Sequence, residues 1–268
     1  MLNKTTKKNL PISVIIITKN AEHSVEKTLK SVSWANEIIV IDSKSSDNTV
    51  KICESYDAII KKSDFWPGFG PQKNKALGFA KNRWILSIDS DEVVSNELYN
   101  EINKIMTINP ENTAFYIRRI NFFCGERVNY SGWQDDFVLR LFPKKLSAFT
   151  ESLVHERVIF HGHLNKINAP LLHYSYKDFD DVTDKIHRYS SAGAHDLICS
   201  EKKITFTLAI VHALWSFFKT YFLKFGFLDG KNGLIIAFMN METTFYKYLK
   251  AINLKNFTTE KKNRKKFR

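Results

Sequence analysis

The sequence has few cysteines, and those present are not arranged to act together. Among 268 residues there are three, Cys53, Cys124 and Cys199, and they lie far apart. Their spacing excludes a cysteine-bound metal site, and their scarcity fits a reducing compartment. Residues 1–9 form a basic, polar N-terminal tail with no apolar segment behind it. We therefore expect no signal peptide.

The sequence also lacks an uncharged apolar run of the length that spanning helices have. The longest, residues 204–218, falls short of the ~20 residues that cross a bilayer. Residues 201–255 are rich in Phe and Trp with interspersed lysines, which favours a helical segment lying in the membrane interface. The alternative is a pair of buried helices, 206–224 and 233–249, packed on each other. The basic tail, 256–268, is either attracted to an anionic lipid surface or simply solvated.

The composition is otherwise that of a folded protein, with 44% hydrophobic and 25% charged residues. Apolar runs rich in β-branched residues predict buried strands at 11–17, 37–41, 58–60 and 84–88, with short helices between them. This alternation predicts an α/β fold with a parallel, helix-covered sheet. Further strands at about 114–120 and 137–142 predict that the sheet becomes mixed.

Polar side chains end the first two predicted strands, where a dinucleotide-binding fold would carry a Gly-x-Gly-x-x-Gly turn. Thr18 and Asn20 follow the first strand, and Asp42 ends the second. Ligands of open α/β sheets bind beyond the carboxyl ends of the strands. A carboxylate such as Asp42 can accept hydrogen bonds from ribose hydroxyls or from a base N–H. These strand ends are therefore suited to holding a nucleotide.

Three carboxylates follow the fourth predicted strand within four residues, namely Asp89, Asp91 and Glu92. Because acids this close repel one another, they need a cation, and oxygen ligands suit Mg²⁺ or Mn²⁺. The alternative is a solvated acidic turn that precedes a helix capped by Ser95 or Asn96.

Three motifs together resemble the N-terminal half of family 2-type inverting glycosyltransferases. They are Ile-Ile-Ile-Thr-Lys-Asn (15–20), Val-Ile-Asp-Ser-Lys-Ser-Ser-Asp-Asn-Thr (40–49) and Leu-Ser-Ile-Asp-Ser-Asp-Glu (86–92). Gly-Trp-Gln-Asp-Asp (132–136), Arg-Leu-Phe (140–142), Val-His-Glu (154–156) and Gly-Phe-Leu-Asp-Gly (226–230) extend the resemblance to bacterial lipopolysaccharide-core glucosyltransferases, over about residues 10–250. The resemblance implies the GT-A fold of nucleotide-diphospho-sugar transferases, with a central, mostly parallel mixed sheet and a C-terminal helical extension. We assign 10–200 to the catalytic domain.

The resemblance also implies roles for the residues that end the strands. Thr18, Asn20 and Asp42 would line the nucleotide pocket, with Asp42 on the uridine. Asp89 and Asp91 would bind the ribose of the sugar nucleotide and a Mg²⁺ or Mn²⁺ that bridges the diphosphate. The acid that often directly follows the Asn of the first motif is displaced in this chain to Glu22, whose role stays open.

Residues outside the strand ends complete the predicted site. Lys73 either faces the diphosphate or is solvated. His155 and His173 each either complete the metal shell or have a structural role.

An inverting transfer needs a carboxylate base for the acceptor hydroxyl. Asp136 is the first choice because its spacing before Arg140 resembles the family's catalytic acid motif. Asp135 and Glu156 are the alternatives.

The predicted activity is metal-dependent, inverting transfer of a hexose, with glucose from UDP-glucose favoured, to a lipopolysaccharide core or another lipid-linked glycan. We expect a cytoplasmic protein, peripheral on the inner face of the membrane, with no nucleic-acid partner. Two rival hypotheses are a phosphotransferase with Asp89 as its nucleophile and a non-catalytic membrane- or polyanion-binding module. The first normally needs the Asp-x-Asp on the first strand, and the second gains nothing from acidic strand ends.

Overall fold

The structure is a computed structural model that describes residues 9–151, 156–200 and 203–266. The predicted tail at 1–8, His155 and the side chains of the basic tail lie outside what is described. The chain divides into two compact units. The first comprises the residues up to Ile120 together with Asp135–His173, and the second comprises Asn121–Gln134 and the chain from Tyr174 onward.

The strands within the described residues number eleven. They are β1 (Leu10–Thr18), β2 (Ala35–Asp42), β3 (Ile59–Lys62), β4 (Trp84–Ser87), β5 (Glu92–Val94), β6 (Thr113–Phe123), β7 (Glu126–Val128), β8 (Phe137–Pro143), β9 (Ser147–Phe149), β10 (Val158–Phe160) and β11 (His163–Tyr176). The α-helices are α1 (Val25–Ser31), α2 (Thr49–Ser55), α3 (Phe69–Phe79), α4 (Asn96–Ile108), α5 (Phe179–Cys199), α6 (Phe206–Phe218) and α7 (Gly230–Lys266). A π-helical segment (Lys219–Leu223) and two 3₁₀ turns (Lys144–Leu146 and Gly226–Asp229) complete the elements.

The main sheet of the first unit runs in the order β3-β2-β1-β4-β8-β6-β11-β5. Strands β3, β2, β1 and β4 are parallel, and β8 joins β4 in the antiparallel sense. This is the mixed α/β sheet that the sequence predicts. Because Thr18 pairs with Asp42 in register, the first two strands end at the same edge of the sheet.

The central strand β1 is buried on both faces, as its uninterrupted apolar sequence predicts. Val14 and Ile16 pack in the core that contains Leu29 of α1, while Ile15 and Ile17 pack in a second core that contains Leu77 of α3. Full burial of such side chains stabilises by about 1.5–3 kcal/mol each. The two cores hold the carboxyl ends of the strands in a fixed position.

Helix α3 begins at Phe69, earlier than the sequence pattern predicts, since two Gly and two Pro between residues 65 and 71 predict a loop. Pro71 lies in the first turn of the helix, where the missing N–H has no intrahelical partner to lose. Gly68 precedes the helix with φ of +111°, a backbone angle that favours glycine.

The second unit is built mainly from α5, α6 and α7. Helix α7 packs against both other helices, and small buried residues, including Ala194, Ala209 and Ala251, line these contacts. The sequence boundary predicted after residue 200 differs from the structural one at 173/174, because α5 packs with α7. Helix α7 also continues to Lys266, through the segment that the sequence predicts as a tail.

Asp229 explains why the Gly-Phe-Leu-Asp-Gly motif is needed in the second unit. Its carboxylate accepts hydrogen bonds from the backbone N–H groups of Asn129 and Tyr130, at 2.9 and 3.0 Å, and from Ser131 Oγ at 2.8 Å. A Cβ on Gly233 would lie 1.7 Å from the carbonyl oxygen of Gly226. Only glycine therefore fits at this position in the first turn of α7. The motif thus fastens the loop at 129–131 to the start of the last helix.

One face of α6 is apolar and exposed. Leu214, Trp215 and Phe218 are 60%, 52% and 44% exposed, and the 3₁₀ turn that follows exposes Phe227 and Leu228 as well. By length and composition, one helical stretch of the described chain, Phe206–Leu223, is sufficient to cross a membrane.

Candidate active site

Asp42 lies buried at the end of β2, where three protein donors already orient its carboxylate. Thr18 Oγ1 donates to Oδ1 at 3.2 Å, and the backbone N–H of Ser45 donates to Oδ2 at 3.0 Å. Ser45 Oγ donates to Oδ1. A carboxylate has about four lone-pair positions, so this arrangement leaves it able to accept from a ligand.

Asn20 and Glu22 connect the loop after β1 to the loop after β2. Asn20 Oδ1 accepts from the N–H of Ser46 at 2.8 Å, and Glu22 Oε2 accepts from the N–H of Asn48 at 2.9 Å. Asn20 has a φ of +50°, a left-handed conformation that Asn tolerates better than most residues. Glu22 therefore has a structural role in this arrangement, which supplies the account that the sequence leaves open.

Asp89, two residues after the end of β4, is held by two cations. Its Oδ1 lies 2.9 Å from Lys73 Nζ, and Arg140 Nη2 donates to its Oδ2. Burial alone would raise the pKa of Asp89, but Arg140 and Lys73 hold that pKa well below the ordinary value. Lys73 is itself only 2% exposed, so the solvated alternative for this lysine is wrong.

Glu92 is a buried hub rather than a third acid that awaits a metal ion. Its Oε1 accepts from Arg140 Nη2 at 2.7 Å and from Arg119 Nη1 at 3.2 Å. Its Oε2 accepts from the backbone N–H of Asp89 at 2.9 Å. The positive charge that the acidic run requires is thus supplied for Asp89 and Glu92 by basic side chains of other strands and of α3.

Successive contacts join seven side chains of alternating sign, which we call the charge chain. In order they are Glu156, Lys73, Asp89, Arg140, Glu92, Arg119 and Asp136. Four acids and three bases give it a formal charge of −1. In a low-dielectric interior, buried charges persist when they are paired and hydrogen-bonded, as these are.

The proposed bases occupy different parts of this arrangement. Asp136 ends the charge chain, with Oδ2 at 2.8 Å from Arg119 Nη2. Asp135 precedes it in an exposed, left-handed position with φ of +53°. Glu156 is at the opposite end, 2.7 Å from Lys73 Nζ. The structure therefore groups Asp135 with Asp136 and separates Glu156 from them along the chain of contacts.

Asp91, the second acid of the Asp-x-Asp motif, lies near His173 of β11. His173 pairs with Glu92 between β11 and β5, and its Nε2 lies 3.7 Å from Asp91 Oδ2. Among the described residues, no cluster of three or more His, Cys, Asp or Glu side chains is arranged to hold a metal. Mg²⁺ is commonly bound by one or two carboxylates together with water and substrate phosphates, so Asp91 supplies a ligand of the kind that this ion takes.

Sequence reasoning missed Arg119 altogether and counted Glu92 among three clustered acids that need a cation. The spacing of Asp136 and Arg140 suggests a relation between these two residues, yet Asp136 contacts Arg119 of β6. The available signal was the presence of charged residues inside otherwise apolar strands, because a charge is buried in a sheet only when it has a partner.

The family model for glycosyl transferase family 2 matches residues 13–161. An uncharacterised glycosyltransferase of Rickettsia bellii is 32% identical over 93% of this chain and 87% of its own length. The lipopolysaccharide core biosynthesis glycosyltransferase LpsC of Rhizobium meliloti is 27% identical over 90% and 95%. A shorter match, 35% identical over 37% of this chain and 42% of the relative, is to WfgD of Escherichia coli, a UDP-Glc:α-D-GlcNAc-diphosphoundecaprenol β-1,3-glucosyltransferase.

These relationships decide between the hypotheses that the sequence left open. A phosphotransferase and a non-catalytic binding module are both excluded as the main activity, since the match covers the strands that carry the charge chain. With its mixed sheet of GT-A type and a family match over more than half of its length, the chain belongs to glycosyl transferase family 2.

Proposed function

We propose that this glycosyltransferase moves glucose from UDP-glucose to a lipopolysaccharide core or another lipid-linked glycan, with inversion at the anomeric carbon. The observation that carries the proposal is the common edge of β2, β1 and β4, where Asp42, Thr18 and Asp89 follow one another across the sheet. The names of LpsC and WfgD support the acceptor class, and that of WfgD supports the donor.

The nucleotide would bind at the ends of β1 and β2. Asp42 would accept from the base or the ribose, and Thr18 and Asn20 would hold the loops around it. Lys73 is the second member of the charge chain, between Glu156 and Asp89, and its ammonium group suits it to the diphosphate. When the diphosphate binds, Lys73 has an anionic partner in addition to Asp89 and Glu156.

Asp91 and His173 would hold a Mg²⁺ or Mn²⁺ ion. Such an ion supplies positive charge for the departing diphosphate. Two ligands from these residues leave positions for phosphate oxygens and water, which is how this class of ion is usually held with nucleotides.

Asp136 would act as the base. Its carboxylate takes the proton of the acceptor hydroxyl while the hydroxyl oxygen bonds to the anomeric carbon of the donor. The bond from that carbon to the diphosphate oxygen breaks on the opposite face, which inverts the configuration. General base catalysis of this kind typically contributes about 10²–10⁴-fold.

The exposed apolar face of α6 supports a peripheral site on the inner face of the cytoplasmic membrane. Trp215 and Phe218 are aromatic side chains of the kind that enter the acyl boundary. A lipid-linked acceptor lies at such a surface, so membrane attachment would bring the enzyme to its substrate. No nucleic-acid partner is proposed.

A donor screen tests the proposal. Calorimetry with UDP-, GDP- and CDP-glucose, each with and without Mn²⁺, should show binding of the uridine nucleotide that Mn²⁺ strengthens. Asp91→Asn should remove the Mn²⁺ effect and abolish transfer without unfolding the protein. Asp57→Asn is the matched control. It removes an exposed carboxylate just before β3, at the amino end of that strand, whereas the proposed site lies at the carboxyl ends of the parallel strands.

Two results would overturn parts of the proposal separately. Full turnover in excess EDTA would remove the metal from it. Absence of binding by all three nucleotide sugars would remove the donor site at β1 and β2.

A further inference from the structure

Arg119 holds Asp136 through both its backbone and its side chain. The backbone N–H of Arg119 donates to the carbonyl oxygen of Asp136 at 2.7 Å. The guanidinium Nε and Nη2 of Arg119 both lie 2.8 Å from Asp136 Oδ2. These contacts fix both the path of the chain and the direction of the carboxylate.

Arg119 is in turn fixed by a carboxylate that solvent does not reach. Its Nη1 lies 3.2 Å from Oε1 of Glu92, whose side chain is 0% exposed. The planar guanidinium presents donors in several directions at once, so one group can bind Glu92 and Asp136 together. An ammonium is a point charge on a flexible stem and would not hold both carboxylates in one geometry.

Glu92 also holds the donor side of the site. The same carboxylate accepts from Arg140, which binds Asp89, and from the backbone N–H of Asp89. A single buried carboxylate is therefore in contact with the loop of the Asp-x-Asp motif and with the arginine that grips Asp136.

We propose that Arg119 is the positioning residue of the base Asp136, and that Glu92 anchors Arg119 so that the donor and acceptor sides keep a fixed relation. The inference rests on the proposed role of Asp136. A base must lie within about 2.6–3.2 Å of the proton that it removes. A displacement of about 1 Å costs on the order of 100-fold in rate.

Arg119→Gln and Arg119→Lys test the proposal, with Arg118→Gln as the matched control. Arg118 is the preceding residue of β6, and successive side chains of a strand point to opposite faces. With UDP-glucose and delipidated rough lipopolysaccharide, we expect kcat to fall about 100-fold in both Arg119 variants. We expect the acceptor KM and the UDP affinity to stay near wild type, and a melting curve of each variant checks that the fold is retained despite the loss of a partner of the buried Glu92. The control should keep full turnover.

Combination with Asp136→Asn separates positioning from a general effect on folding. If Arg119 acts through Asp136, Arg119→Gln should cause no further loss once the base is removed. Losses that multiply would overturn the proposal. Glu92→Gln should lower kcat in the same direction as Arg119→Gln, and an unchanged kcat would remove Glu92 as the anchor.

Hydrogen–deuterium exchange gives a readout that needs no acceptor. Loss of Arg119 should speed exchange of the amides at 135–137 several-fold, and loss of Arg118 should leave them unchanged. Unchanged exchange in Arg119→Gln would contradict the proposal. Normal turnover by Asp136→Asn would instead overturn the proposed base, whereas an inactive Asp136→Asn beside fully active Arg119 variants would overturn only the positioning role.

Discussion

The two units of the molecule depart from the usual distribution of side chains in opposite ways. The first encloses charged groups, among them Lys73, Glu92 and Arg140, at exposures below about 10%. The second leaves large apolar side chains such as Leu214 and Trp215 more than half exposed. Charged residues are seldom buried unless paired, and a contiguous apolar surface is uncommon on a monomer.

The two units differ in whether the protein itself supplies partners for these unusual side chains. The charge chain is satisfied within the fold, because every acid in it contacts a base. Its pairing is complete within the protein, before any ligand arrives. The apolar face of α6 has no such compensation within the described part of its own unit, which is why we propose that a membrane surface covers it. The first region carries the proposed chemistry and the second the proposed attachment.

Removal of the proposed base in the first unit should cause the largest loss of activity. In Asp136→Asn the amide cannot take the acceptor proton, and we expect kcat to fall by about 10²–10⁴-fold while UDP affinity is unchanged. Release of UDP in the presence of acceptor measures the rate, and calorimetry measures the affinity. Transfer within tenfold of wild type would assign the base to Asp135 or Glu156.

Removal of a buried cation should show how strongly the charge chain supports the fold. Lys73→Met leaves Asp89 and Glu156 without one shared partner, and breaking a buried pair costs about 3 kcal/mol or more. Urea unfolding measures the free energy. Lys104→Met is the control, because Lys104 and Glu101 form an exposed pair worth less than about 1 kcal/mol. Equal losses in the two variants would mean that burial adds nothing to the pair.

The nucleotide end of the site should respond more modestly. Asp42→Ala removes one charge-assisted hydrogen bond, which predicts about tenfold weaker binding of UDP, or ~1.4 kcal/mol. Titration calorimetry on the variant gives this value directly. Ser45 and Thr18 would lose a hydrogen-bond acceptor as well, so a melting curve must accompany the titration. Unchanged UDP affinity in a folded variant would move Asp42 out of the pocket.

The smallest effects are expected on the apolar face. Trp215→Ser and Phe218→Ser should each weaken sedimentation with anionic vesicles several-fold, since each removes a side chain that would enter the interface. Raised salt should weaken, but not abolish, binding of the unaltered protein. Phe79→Ser, at an exposed aromatic of the first unit, is the control. The membrane role would be contradicted if the α6 substitutions unfolded the whole protein and the wild type showed no vesicle binding. The face would then serve packing within the protein.

The family, the α/β fold and the strand ends could be predicted from sequence because each depends on local pattern. Apolar runs give β1, β2 and β4, and the residues that end them follow directly. The contact between Arg119 and Asp136 could not, because it depends on the register of two antiparallel strands. The hub role of Glu92 also depends on β11, which pairs with β5 from about eighty residues further along the chain.

The sequence was least informative about the helices of the second unit. Helix α5 was not predicted, since its apolar residues Val182, Ile186 and Leu197 are spread among many charged ones. Its packing against α7 moves the unit boundary to residue 173/174. Local propensity cannot decide such a boundary, because it is set by which helices share a core.

The alternation of sign along the charge chain limits how this site can change among related sequences. Reversing both charges of an interior pair, such as Glu92 and Arg119, restores their own contact but places like charges beside Arg140 and Asp136. Two viable sequences are therefore separated by several simultaneous changes rather than by one or two tolerated steps. We expect relatives to keep the interior members of the charge chain together. They should vary first at Glu156, which has a single partner within the charge chain.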